Sequence, residues 1–335
     1  MAKEIETMLI EYEQKRRDEE AKAEIKKREL YTKIPRLQEI EDELNKLSIL
    51  KTKNILTSGL QNVENDRLET QILELKKEKE KIFTQKKIKH EDIMPKYECE
   101  KCKDTGFISF PNKKTQMCSC LKQKLINISY NKSNLSNLQK ENFQSFNLNR
   151  FSNEVNIDKY KMNISPRENI KQIKEAALKF VENFDNPDTK NLFFTGNTGL
   201  GKTYMTNCIA NEILKKGKTV LYQTAPVLLE TIIDNKFNKY KTSNTNDFYN
   251  QVLETDLLII DDLGTEYQNA IKLSELFTIL NARALNLNNR LTRTIISTNL
   301  SIEQIFSLYE ERIGSRIAGF YDIYYFFGED LRLSK

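Results

Sequence analysis

The sequence predicts an α/β fold: a P-loop parallel sheet with flanking helices, preceded by a helical N-terminal arm and a small metal-binding knob. Three observations predict it. From about Ile170 onward, short apolar runs alternate with helix-length stretches, the pattern of a parallel sheet covered on both faces. A Gly-rich loop, Gly196 to Thr203, follows the first of these runs and opens a helix. Upstream, four of the chain's five cysteines fall between Cys99 and Cys120.

The elements follow in order. Residues 1 to about 90 hold one Gly (Gly59) and one Pro (Pro35) and read as helix. Leu37, Ile40, Leu44 and Leu47 share a face by their spacing, and Ile72, Leu75 and Ile82 form the inward face of a second helix from about Glu64 to Lys89. A turn at Thr57, Ser58 and Gly59 would make the two a helical hairpin. Pro95 breaks the pattern. Residues 133–166 are polar and Asn-rich with Phe143, Phe146 and Phe151 interleaved, a linker expected to dock its aromatics on the domain that follows. Beyond it the pattern predicts helices over 170–184, 202–215, 226–240 and 272–287. It predicts strands over 191–195, 219–223, 257–260 and 294–297, with Gly217 ending the second helix in a left-handed conformation and Ser301 capping a further one.

Composition bounds the function. The 335 residues are 39% hydrophobic and 30% charged, enough apolar content for a core and a solvated surface. The net charge of +5 permits contact with nucleic acid or an acidic partner without demanding it. No run of about twenty apolar residues appears, so no membrane span is expected. The N-terminus is too charged for a signal peptide, so a cytoplasmic location is the expectation. In a reducing compartment, clustered cysteines point to metal rather than to disulfides.

Gly196-Asn197-Thr198-Gly199-Leu200-Gly201-Lys202-Thr203 matches G-x-x-x-x-G-K-[ST], the loop that cradles ATP phosphates. Glycine lets the backbone turn so that its N–H groups face phosphate oxygens, and the following helix aims its positive end at the same anion. Lys202 would reach the β- and γ-phosphates, and the Thr203 hydroxyl would bind Mg²⁺. ATP hydrolysis needs a second element, an apolar strand ending in acids, and Leu257 to Asp262 supplies it. Asp261 would hold Mg²⁺ through water, and Asp262 would orient or deprotonate the attacking water, with Glu266 in reserve. A third apolar run, Thr294 to Asn299, turns polar at its end, which places Asn299 to touch the γ-phosphate or the attacking water. Helix capping is the competing role for Asn299.

Cys99-x-x-Cys102 and Cys118-x-Cys120 bring four soft ligands together at the spacing of a tetrahedral Zn²⁺ site, with Gly106 and Pro111 letting the chain turn back between them. His90, the chain's only histidine, lies just upstream and could replace one cysteine. A redox pair or buried thiols compete with zinc. Cys208, on the helix after the Gly-rich loop, reads as core.

Leu-Leu-Ile-Ile-Asp-Asp-Leu-Gly-Thr-Glu (257–266), Ser-Thr-Asn (297–299) and Glu-Arg-Ile-Gly-Ser-Arg-Ile (311–317) together resemble the AAA+ ATPases of the bacterial replicative helicase loaders, the DnaC/DnaI type. Cys-Lys-Asp-Thr-Gly-Phe-Ile (102–108) is similar to the zinc-bearing part of the DnaI-like members. The resemblance spans about 97–335, and the first 95 residues match by helical character only. It implies residues 1–95 as a helicase-interaction region, 96–125 as the zinc-binding segment, 126–165 as a linker and 166–335 as the AAA+ domain. It implies a slow ATPase that binds a DnaB-type replicative helicase hexamer, assembles through its AAA+ part and engages single-stranded DNA. Arg316 best matches the arginine that reaches a neighbouring subunit's ATP, with Arg312 second, and Arg332 resembles the sensor arginine acting within its own chain. An exposed salt bridge is the competing role for each. Asp262 departs from the Glu common at that place, and the shorter arm would slow turnover.

Lys76 to Lys89 is Lys-rich; Lys236, Lys239 and Lys241 precede a polar loop, Thr242 to Asp247, and Lys239 and Lys241 flank Tyr240. Cationic side chains with a stacking ring suit single-stranded DNA, and a solvated charge run fits equally. Two other functions share the motifs: a transposon-associated ATPase that binds DNA and recruits a transposase, and a nucleotide-switched interaction module with little hydrolysis.

Overall fold

The computed structural model describes residues 2–58, 63–109, 115–129, 140–237, 245–286 and 290–333. The chain divides into two units, Met1–Cys118 and Ser119–Lys335.

The first unit opens with three helices, α1 (Ala2–Lys33), α2 (Pro35–Ser58) and α3 (Val63–Lys86). The sequence pattern suggested two; Pro35 is the reason there are three. Proline lacks an N–H and is tolerated in a helix's first turn, so it ends α1 and begins α2. Leu37 and Ile40 are fully buried, whereas Leu44 and Leu47 are only partly so. Of the turn expected at Thr57, Ser58 and Gly59, Thr57 and Ser58 instead end α2, and Gly59 lies outside the described residues. A polar knot ties the helices. The Glu41 carboxylate of α2 accepts from Lys27 of α1 at 2.7 Å, from the Tyr31 hydroxyl of α1 and from Lys79 of α3 at 3.3 Å. Burial alone would raise the Glu41 pKa; the hydrogen bonds from Lys27 and Tyr31 and the charge on Lys79 outweigh it and pull the carboxyl down to about 2. After α3 comes a two-stranded antiparallel hairpin, β1 (Phe107–Ser109) and β2 (Thr115–Met117).

The second unit is a five-stranded parallel sheet wrapped by helices. Its elements run α4 (Ser119–Ser129), α5 (Ile157–Tyr160), α6 (Pro166–Glu182), β3 (Asn191–Gly196), α7 (Lys202–Lys215), β4 (Val220–Thr224), α8 (Ala225–Phe237), α9 (Thr245–Glu254), β5 (Leu257–Leu263), α10 (Ala270–Ala284), β6 (Arg293–Thr298), α11 (Ile302–Leu308), α12 (Glu310–Phe320) and β7 (Tyr321–Phe326). The strand order is β4-β5-β6-β3-β7. β3, β5 and β6 are apolar throughout their middles because helices cover both faces, as the sequence pattern required. This order puts the C-terminal ends of β3, β5 and β6 side by side, where such sheets bind ligands.

Several local expectations meet the structure directly. Phe143, Phe146 and Phe151 are buried in the core of this unit, so the stretch read as linker is in part core. Gly217 closes α7 with φ +70°, and Ser301 caps α11 in a reciprocal capping box with Gln304. The fully buried Arg283 guanidinium of α10 donates to the carbonyls of Val252, Thr255 and Arg293, joining the end of α9 to β6. Burial lowers its pKa to about 9. On the β4 edge, the Gln123 carboxamide of α4 accepts from Val220 N–H at 2.6 Å and donates to Val220 C=O at 3.0 Å, standing in for a neighbouring strand.

The Glu41 knot carries a sign. A carboxyl whose folded pKa lies below its unfolded value stabilises fully above pH 4.5 and loses that contribution as pH falls toward about 2. Glu41→Gln is therefore expected to unfold the helical unit at lower temperature than the parent at pH 7, with the gap closing between pH 4.5 and about 2, as followed by helical circular dichroism.

Candidate functional site

The expected phosphate loop connects β3 to α7 and is shaped by its glycines. Gly196 has φ +139°, and a Cβ there would fall 2.0 Å from the Phe326 carbonyl of β7. A Cβ on Gly199 would fall 1.9 Å from the Asp330 carboxylate, and Leu331 N–H donates to Gly199 C=O at 3.0 Å. Only glycine lets the loop pass this close to the chain's last segment.

A cleft of about 370 Å³ opens on this loop. Thr198 to Thr203, Asp262, Asn299 and Arg332 line it. The Lys202 ammonium lies against three oxygens, the carbonyls of Gly196 at 2.6 Å and Asn197 at 2.7 Å and the Asn299 Oδ1 at 2.9 Å. Burial lowers its pKa to about 8, against the pull of Asp262 and Asp261. Thr203 Oγ1 donates to Asp261 Oδ2 at 3.2 Å, so the two groups expected to share Mg²⁺ are adjacent and all-oxygen, the donor chemistry that ion takes. Tyr222 and Ser297 hydroxyls also donate to Asp261. Burial, then the charge of Asp261, pushes the Tyr222 hydroxyl's pKa well up, which keeps it a donor.

Asp262 sits in a left-handed conformation, φ +56°, just past the apolar run of β5, where the β5–β6 register shifts. That turn presents its side chain to the cleft. Burial and the neighbouring Asp261 raise its pKa. Glu266, read as a reserve base, is engaged elsewhere: it is buried, accepts from Gly264 N–H at 2.9 Å and from the Tyr309 hydroxyl, and is not among the cleft's lining residues. Asn299 faces Lys202, and the cap of α11 falls to Ser301.

The remaining arginines separate. Arg332 lines the cleft. Arg312 and Arg316 stand on α12 with their guanidiniums over the Phe277 ring, 4.9 and 5.8 Å from its centroid, and Arg312 pairs with Glu310 at 2.7 Å. Neither lines this chain's own cleft. Four lining residues lie outside the quoted motifs: Glu141, Arg150, Tyr204, which directly follows Thr203 on α7, and Leu331. They converge by tertiary packing, since Asn207 of α7 donates to Glu141 at 2.6 Å, Ser145 meets the Tyr204 hydroxyl at 2.8 Å and Arg150 donates to the Leu331 carbonyl. No sequence pattern marks such an approach. Lys239, Tyr240 and Lys241 lie outside the described residues. Lys236 pairs with Glu275 at 2.6 Å and stands 5.1 Å over the Tyr249 ring.

The four cysteine sulfurs of residues 99, 102, 118 and 120 lie within 4.8 Å of one another. Cys99 and Cys118 sulfurs are 3.8 Å apart, too far for a disulfide and close to the roughly 3.8 Å edge of a tetrahedron with ~2.3 Å Zn–S bonds. The Asp104 carboxylate accepts from the N–H groups of Glu98 and Cys99, both at 2.9 Å, and left-handed Lys103 and Asp104 turn the chain back. The residues thus fit zinc, which would act here as a structural cross-link. His90 is elsewhere: it stacks on Phe83 at 4.4 Å and pairs with Glu80 at 3.0 Å, so it replaces no cysteine.

A protein-family model described as IstB-like ATP binding protein matches residues 113–313. The chain belongs to the IstB-like ATP-binding family. Membership of this family makes the chain an ATP-binding protein. The chain is 27% identical over 143 residues to the replicative helicase loader DnaC of Escherichia coli strain K12, a match covering 42% of this chain and 55% of that protein. It is 31% identical over 135 residues to the chromosomal replication initiator protein DnaA of Buchnera aphidicola subsp. Cinara cedri, covering 40% of this chain and 28% of that protein. The chain thus spans about half the length of the DnaC relatives it matches, and less of DnaA. Among solved structures, the DnaC helicase loader is 25% identical with a TM-score of 0.42, covering 51% of this chain and 96% of that one. DnaI is 21% identical with a TM-score of 0.41, covering 59% of this chain and 100% of that one. No helix among the described residues is long and apolar enough to cross a membrane.

Two outcomes test the cysteine knob. The purified chain is expected to carry zinc in equimolar amount by elemental mass spectrometry, and the Cys99→Ser, Cys118→Ser double variant is expected to lose it.

Proposed function

We propose that this IstB-like protein is an AAA+ ATPase that loads the replicative DNA helicase onto single-stranded DNA. Its relatedness to DnaC across the ATPase part carries this reading, and the cleft gives it a mechanism. Backbone N–H groups of residues 198–203 and the positive end of α7 would receive the phosphates. Lys202 would exchange its three protein oxygens for phosphate oxygens. Thr203 and Asp261 would hold Mg²⁺, whose charge neutralises the triphosphate. Asp262 would orient the attacking water, its raised pKa matching a role in moving a proton, and Asn299 would fix the γ-phosphate. Arg332 would meet developing charge within the chain. Arg316, with Arg312 beside it, would do so for a neighbouring subunit's ATP; their absence from this chain's own cleft supports that role. Hydrolysis would then depend on assembly. Residues 1–95 would contact the helicase, and the cytoplasm is where that partner is found.

The deciding experiment mixes the protein with its host's replicative helicase, with and without ATP, and measures the mass of the complex. A stable large complex is expected. Absence of one at micromolar concentrations, together with filaments that require duplex DNA, would replace this reading with the transposon-associated ATPase; ATP binding without turnover even with helicase and DNA present would favour the nucleotide switch.

Two variants dissect the site. Lys202→Ala is expected to abolish ATP binding by calorimetry. Arg316→Ala is expected to leave binding intact and to lower assembly-dependent turnover by roughly 10³-fold, the scale of a lost arginine finger; unchanged turnover would remove it from that role.

A further inference from the structure

We propose that Tyr222 and Ser297 are positioning residues for the metal, two hydroxyls that hold the Asp261 carboxylate so that it meets Mg²⁺ through water. The inference rests on the nucleotide reading above and deepens it.

The geometry comes from the sheet. Asp261 ends the apolar run of β5 and is buried at 4% exposure. β4 lies on one side of β5 and β6 on the other. Each flanking strand sends one hydroxyl to the same carboxylate: Tyr222 from β4 to Oδ2, and Ser297 from β6 to Oδ1. Thr203 Oγ1 adds a donor at 3.2 Å to Oδ2, and Asp262 N–H adds one at 3.2 Å to Oδ1. A carboxylate offers about four acceptor directions. All four are in use, with two donors on each oxygen. Of these donors, Thr203 is the one expected to turn to the metal. Tyr222 and Ser297 are themselves buried, at 3% and 0% exposure, and have no route to a phosphate. Tyr222 therefore acts on the nucleotide through Asp261, and Ser297 through Asp261 and through the Asp262 N–H, from which its Oγ also accepts at 3.2 Å. With its oxygens held from both sides, the carboxylate cannot swing forward to bind the ion directly. It presents a fixed acceptor for the ion's water instead.

A merely structural hydroxyl would lower stability and every form of nucleotide binding together. A positioning hydroxyl acts on the metal-bound form alone. In the full chain, Tyr222→Phe and Ser297→Ala are each expected to raise the Mg²⁺ concentration that half-saturates the ATP complex by about tenfold, within the range for groups that orient metal ligands. Affinity for ATP in excess EDTA should stay within about twofold of the parent. Ser297→Thr, which keeps the hydroxyl, should restore the parent Mg²⁺ dependence. Equal losses with and without Mg²⁺, or an unchanged Mg²⁺ requirement, would overturn the proposal. If Tyr222→Phe does not fold, the Ser297→Ala and Ser297→Thr pair decides by the same criteria. A parent chain that binds no ATP in either condition would overturn the nucleotide reading itself, a result distinguishable from any of these.

Discussion

A buried ammonium must find oxygen ligands, and Lys202 finds three: two carbonyls of its own loop and the amide oxygen of Asn299. That contact closes the phosphate loop onto the end of β6. It also sets the site's electrostatics, because burial has already lowered the lysine's pKa to about 8 and made its charge costly to keep. A phosphate offers the same ammonium a stronger, charged partner. In the proposed nucleotide complex the ammonium would exchange these ligands for phosphate oxygens, and the exchange would release Asn299, at the end of a neighbouring strand. The adjoining carboxylates are tuned in different ways, Asp261 held by donors on both oxygens and Asp262 raised by burial and by its neighbour.

The features readable in the sequence are those fixed by local rules. The loop was legible because left-handed backbone demands glycine, and β5 because a strand covered on both faces must be apolar along its length. Gly217 and Ser301 were legible for the same reason, each answering an unmet need at a helix end. Features set by distant packing were not. β7 escaped notice because its Tyr-Asp-Ile-Tyr-Tyr-Phe run mixes exposed and buried positions, as an edge strand does. Glu141 and Arg150 reach the cleft from segments with no motif of their own. Glu266 shows the converse. It stands near Asp261 and Asp262 in sequence, but a backbone N–H and the Tyr309 hydroxyl claim it, so proximity along the chain does not bring it to the cleft.

The first unit shows a different economy. Its helices carry few fully buried side chains, Met8, Ala23, Leu37, Ile40 and Phe83 among them, so charged knots such as Glu41 with Lys27, Tyr31 and Lys79 do much of the specifying. Exposed ion pairs along a helix contribute little each, but a half-buried one that joins three helices selects one arrangement. The cysteine segment takes that logic further. It has too short a chain for a core, and four soft ligands at tetrahedral spacing offer a cross-link in its place.

The last strand ties the Gly-rich loop to the segment that follows that strand. β7 is zipped to β3 over six residues, from Asn191 opposite Tyr321 to Gly196 opposite Phe326, and the backbone then doubles back so that Leu331 N–H fastens onto Gly199. The Gly-rich loop is thereby held at its start, Gly196, and near its middle, Gly199, by the same short stretch of chain. Residues 327–330 make the turn between the two attachments, with Gly328 at φ +146°. Loop and C-terminal segment therefore share one hydrogen-bonded frame, so a substitution that misplaces residues 326–331 would misshape the loop as well.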